Sequence, residues 1–129
     1  MRSLFLGLSL ILLATACTSG ARNQPFTNIY PGNLSEILDK PDLVIIDVRT
    51  PSEWKGGTVD VALLLNLHDR DFPDHIRQLS RDNPYLIYCN TGNRSQVVSR
   101  FMVREGFTRV FNYAGTHQQI RGEHHRLTR

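Results

Sequence analysis

Tyr85-Leu86-Ile87-Tyr88-Cys89-Asn90-Thr91-Gly92-Asn93-Arg94-Ser95, running on into Gln96-Val97-Val98, is the stretch that settles the architecture. Tyr85 to Tyr88, aromatic and branched, read as a short buried strand. The polar run that follows cannot continue it, and Ser95 stands where a helix should begin, ahead of Val97, Val98, Phe101 and Met102 at helical spacing. A cysteine is thereby left at a strand end, facing a tight loop that feeds a helix N-terminus. Backbone N–H groups in such a loop point inward, the helix dipole adds partial positive charge, and Arg94 adds a full one. This setting lowers a thiol pKa and supplies a thiolate near neutral pH. It is also a cradle for an anion, formed by Asn90, Thr91, Gly92, Asn93 and Ser95.

Outward from this loop, Leu43-Val44-Ile45-Ile46-Asp47-Val48-Arg49 is a second continuous apolar run, ending in two charged residues. It suits a parallel strand buried on both faces, with polar groups at the C-terminal end where ligands gather in open α/β sheets. Apolar strands near 43–47, 62–67, 85–88 and 109–113 alternate with helical patterns. The fold class this predicts is α/β: a three-layer domain with a mostly parallel central sheet flanked by helices. Phe26 to Tyr30 forms a short first strand, and Asn33 to Leu38 a helix with Asn33 as its cap. A further helix covers 74–79. The helix from Ser95 to Glu105 is stopped by Gly106, with Phe107 folding back on its last turn. A short helix over 117–121 closes the domain, placed at 26–121, and 122–129 is read as a frayed polar tail with solvated His124 and His125.

Two motifs carry a resemblance. The loop reads C-x-x-G-x-R-S from Cys89 to Ser95, and the segment Asp47-Val48-Arg49-Thr50-Pro51-Ser52-Glu53-Trp54-Lys55-Gly56-Gly57 reads as D-V-R, a short turn, an acidic-aromatic pair and glycine. Together they resemble the single-domain rhodanese family of sulfurtransferases, over roughly Phe26 to Ile120. Cysteine phosphatases are similar but place one residue more between Cys and Arg, which suits a phosphate; the shorter loop here suits one sulfur atom. The resemblance implies catalysis by Cys89 and Arg94, with Asp47 and Arg49 bracing loops. It also marks departures. Thr58-Val59-Asp60-Val61-Ala62 stands where the family has a Gly-His-Ile-Pro-Gly-Ala-like stretch, and Thr116 replaces the second glycine of a Gly-Gly pair after the last strand.

His68-Asp69-Arg70-Asp71-Phe72-Pro73-Asp74-His75 gathers histidines and aspartates, but without a compact ligand spacing; it reads as a solvated loop entering a helix, and no metal is expected.

The first residues read differently. Arg2 and the apolar run Leu4 to Leu13, too short to span as a mature helix, precede Ala14-Thr15-Ala16-Cys17. This resembles a bacterial lipoprotein signal: 1–16 removed, Cys17 lipidated, and Thr18 to Pro25 a tether that reaches about 25–30 Å when extended. The expected location is the cell envelope, facing the periplasm, at the outer membrane in a Gram-negative cell. With Cys17 in lipid, Cys89 is left alone, an exported free thiol that invites a chemical role. Removal of 1–16 takes the formal charge from +3 to +2 by loss of Arg2, and no basic stripe with interleaved aromatics points to nucleic acid.

The chemistry implied is transfer of a sulfane sulfur. The donor is a small sulfur-containing anion such as thiosulfate, or a persulfide, and the acceptor is cyanide or a thiol. No cofactor is called for. Two alternatives stand beside it: a rhodanese-type binding or redox module without turnover, and a cysteine phosphatase or arsenate reductase.

Overall fold

The computed structural model describes residues 25–129; the signal segment 1–16, Cys17 and most of the tether lie outside the described residues. Five strands, β1 (Thr27–Ile29), β2 (Val44–Asp47), β3 (Leu63–Leu64), β4 (Tyr85–Tyr88) and β5 (Val110–Tyr113), alternate with five helices: α1 (Ser35–Leu38), α2 (Pro51–Trp54), α3 (Phe72–Arg77), α4 (Asn93–Arg104) and α5 (His117–Leu127). The sheet order is β1-β5-β4-β2-β3, and every pairing is parallel. The two apolar runs read from sequence, β2 and β4, are neighbours in register from Val44 opposite Tyr85 to Asp47 opposite Tyr88. Their C-terminal ends therefore sit side by side, which brings Asp47, Arg49 and Cys89 to one rim.

Strand alternation divides the core in two. Tyr85 and Ile87 point to the face covered by Phe72, Ile76, Val98 and Met102, whereas Leu86 and Tyr88 point to the face covered by Leu34, Ile37, Val59 and Ile120. Each fully buried Leu, Ile or Met side chain contributes about 1.5–3 kcal/mol, so both layers are anchored independently. α4 ends as the sequence predicts. Gly106 takes φ +92°, its N–H bonds the Val103 carbonyl and the Phe107 N–H bonds that of Met102, a Schellman arrangement that folds Phe107 into the core.

Several boundaries differ from expectation. α4 begins at Asn93 rather than Ser95, because Gly92 with φ +88° lets the chain turn into the helix earlier. α3 starts at Phe72, since Pro73 is tolerated in a first turn. Asn33 does not cap α1; its amide reaches the Glu36 side chain at 2.6 Å. The expected strand over 62–67 shortens to Leu63–Leu64, an edge strand entered through Val61 at φ +65°, although Leu65 N–H still bonds the Asp47 carbonyl at 3.0 Å.

The frayed tail is the main correction. α5 runs on to Leu127 and buries Glu123 and His124, while His125 stays exposed. Glu123 looked solvent-seeking, yet its carboxylate accepts from Gly32 N–H at 2.8 Å, Leu34 N–H at 3.3 Å and the Tyr113 hydroxyl at 2.7 Å. A buried carboxylate satisfied by three donors is held in place.

Candidate active site

Cys89 is 1% exposed and directly follows β4. Its sulfur accepts from Gly92 N–H at 3.1 Å and donates its own proton to Ser95 Oγ at 3.6 Å; Ser95 in turn donates to the Gly92 carbonyl at 3.1 Å. On ionisation the Ser95 hydroxyl can turn to face the sulfur. Burial pushes the thiol up, but the Ser95 hydroxyl and the N–H groups of Ser95, Thr91 and Gly92 outweigh it, and the net direction is downward. Of the loop, Thr91, Gly92 and Ser95 are thus brought together around one sulfur.

Arg94 lies within reach of the sulfur's charge, and its guanidinium is held by both Glu53 oxygens, at 2.6 and 2.8 Å. Glu53 raises the Arg94 pKa most, and the Cys89 thiolate contributes less. Glu53 is itself fixed by the Thr50 N–H at 3.0 Å and the Thr50 hydroxyl at 2.9 Å. Its hydrogen bond with Arg94 is the largest influence on its carboxyl, which against the opposing effect of burial and with help from Thr50 falls to about 2. The bidentate pair ties α2 to the N-terminus of α4 and sets the loop from outside.

Asp47 and Arg49 form the inner brace. The pair is buried, at 2.7 Å with side chains 0% and 3% exposed. Arg49 also donates to the Gly57 carbonyl at 2.8 Å and the Glu53 carbonyl at 3.4 Å. Tyr88, immediately before the cysteine, donates to Asp47 Oδ2 at 2.6 Å and accepts from Val59 N–H at 3.0 Å. Burial and the bond to Asp47 push its phenol well above the usual range. The segment that lacks Gly-His-Ile therefore still anchors on this network through Val59.

A histidine missed in the sequence closes the back of the site. The His117 ring stacks on Tyr88, with centroids 6.1 Å apart and planes at 14°, and the His117 backbone N–H donates to the Asn90 carbonyl at 3.2 Å. Thr116, where the family has glycine, caps α5. Its Oγ1 accepts from Gln119 N–H at 3.3 Å, and the Gln119 side chain accepts from Thr116 N–H at 2.8 Å. In the 68–75 stretch His75 faces Asp71 at 3.5 Å, and among the described residues no group of three or more His, Cys, Asp or Glu side chains gathers as a metal site.

The model of the rhodanese-like domain matches residues 30–122. The chain belongs to the rhodanese-like domain family. Among curated relatives of this rhodanese-like chain, a sulfurtransferase of Allochromatium vinosum is 32% identical over 79 residues, covering 61% of this chain and 72% of that protein. A tRNA uridine(34) hydroxylase of Chlamydia abortus is 32% identical over 110 residues, 81% of this chain. The chain spans only 33% of that hydroxylase's length. Among solved structures, a rhodanese-like domain protein from Staphylococcus aureus superposes with a TM-score of 0.63 at 25% identity, over 73% of this chain and 90% of that one. The fold is the five-stranded, all-parallel rhodanese sheet flanked by helices.

Proposed function

We propose that this rhodanese-like domain is a sulfurtransferase that carries sulfur as a Cys89 persulfide. The observation that carries the reading is the loop gathered on one buried sulfur, which accepts from Gly92 N–H at 3.1 Å and has Ser95 Oγ at 3.6 Å, ready to donate once the thiol ionises. Such a loop stabilises the thiolate and can accept the terminal sulfur anion that replaces it. The Cys89 thiolate attacks the outer sulfur of thiosulfate, the sulfur–sulfur bond breaks, and its electron pair leaves with sulfite. Cyanide or a thiolate then attacks the terminal persulfide sulfur, taking it away and returning the electron pair to Cys89. No external oxidant or reductant enters. The similarity to a sulfurtransferase of Allochromatium vinosum supports the same reaction class. Mass spectrometry of protein purified without reductant tests it: one added sulfur atom on the Cys89 peptide, removed by cyanide, is expected. Hydrolysis of p-nitrophenyl phosphate without thiosulfate turnover would reject it in favour of a phosphatase.

Arg94 acts here by shaping the loop. With its guanidinium taken by Glu53, Arg94→Ala also leaves a carboxylate unpaired near an anionic sulfur. Loss of charge-assisted hydrogen bonds of about 1.5–3 kcal/mol corresponds to about a ten- to hundredfold fall in turnover. Thiosulfate and a neutral alkyl persulfide should suffer alike. A defect confined to thiosulfate would instead make Arg94 an anion-recognition residue.

The sequence of residues 1–17 supports an envelope location with a lipid on Cys17. Palmitate labelling and membrane partitioning, both lost in Cys17→Ser, are the expected results; unlabelled wild-type protein in the soluble periplasm would overturn this.

A further inference from the structure

The peptide unit joining Asn90 to Thr91 is planar and trans, so its carbonyl and its N–H point in opposite directions. The carbonyl is taken by the His117 N–H at 3.2 Å. The N–H of the same unit is thereby turned away from α5, and the Thr91 N–H is among the backbone groups whose direction favours the Cys89 thiolate. The hydrogen bond from α5 thus fixes which way this N–H points. We propose that His117 is a positioning residue for Cys89: from the first turn of α5 it orients the Asn90–Thr91 peptide, and its ring on Tyr88 holds α5 at the distance this requires. The inference rests on reading Cys89 as the nucleophile.

The ring is enclosed by the fold. His117 is 7% exposed and its Nε2 meets no hydrogen-bond partner. The charged groups near it are Arg49 and Asp47 at the end of β2 and Arg121 on α5, with the Gly57 carbonyl facing it from the segment after α2. Burial first, and then Arg49, keep its pKa down, so the imidazole is neutral at neutral pH. The Thr116–Gln119 capping box sets the backbone of the helix start from which the His117 N–H projects, while the ring sets how far that start lies from the loop.

These two contributions separate by substitution. His117→Phe keeps ring and N–H, His117→Ala keeps the N–H alone, and His117→Pro keeps neither. Proline is well suited to the first helical position, and Thr116 at φ −85°, ψ 158° already has the extended conformation a residue before proline prefers. The readout is the pH dependence of iodoacetamide alkylation of Cys89 in the full chain. Phe should match wild type, Ala should raise the midpoint slightly, and Pro should raise it by about one pH unit, about tenfold less thiolate below the midpoint. An unchanged midpoint in a folded Pro variant, with helix content retained by circular dichroism, overturns the proposal. Should Pro fail to fold, the other two decide: a midpoint raised in Ala and restored in Phe supports it, and equal midpoints throughout overturn it. Alkylation needs only the thiol, so inactivity towards thiosulfate would leave this outcome intact and count against the sulfurtransferase reading alone.

Discussion

Cys89→Ala is expected to abolish thiosulfate:cyanide transfer while leaving the domain folded. Cys89 is the free cysteine of the described residues, so no neighbouring thiol can take over. Its side chain is small, and alanine leaves only a slight void beside Val98 and Ile87 in the same cluster. The loss is expected to be complete within assay limits, because the covalent route disappears and nothing else at the site is a comparable nucleophile. Cys89→Ser sharpens the test. Its hydroxyl still accepts from Gly92 N–H but does not ionise near neutral pH, so it too should be inactive. Measured turnover in either variant above the rate without protein would remove the persulfide mechanism.

The second large effect is on stability. Asp47→Ala strands Arg49 at 3% exposure and leaves the Tyr88 hydroxyl without its acceptor at 2.6 Å. Arg49 cannot escape by losing its proton, because a guanidinium stays charged in proteins even where it is buried. Removing one partner of a buried ion pair costs about 3–5 kcal/mol, a large fraction of the roughly 5–15 kcal/mol that holds a domain together. Urea unfolding should show the midpoint falling with an unchanged slope. The double substitution Asp47→Ala with Arg49→Met should recover part of the loss, because it no longer buries an unpaired charge. A loss under about 1 kcal/mol for Asp47→Ala would show that the Gly57 and Glu53 carbonyls suffice for Arg49.

The parallel sheet and the cysteine loop were legible because their signals are local. Apolar runs of strand length and a polar, glycine-containing turn into a helical pattern all fall within a dozen residues. What was missed depends on partners far along the chain. Glu53 appeared only as half of an acidic-aromatic pair, and its bond to Arg94 spans 41 positions. Glu123 reads as a solvated tail residue until its partners 91 and 89 positions earlier are in place. Thr116 looked like a lost glycine, although Thr116 followed by Gln119 is a helix-start signature that was readable on its own terms. His117 carried no signal, since its part is played by a backbone N–H and a flat ring.

The pairing of β1 with β5 sets the order in which this chain can fold. Thr27 can meet Phe111 only after every other strand has been made, and Glu123 then ties α5 back to Gly32 and Leu34 beside that first strand. The beginning of the domain has no resting place until its end arrives. Closing so long a loop before any contact rewards it slows folding relative to helical domains of similar size. During synthesis the β1 segment stays without its sheet partner until β5 emerges, and the helix that backs the cysteine loop then ties down the turn after it.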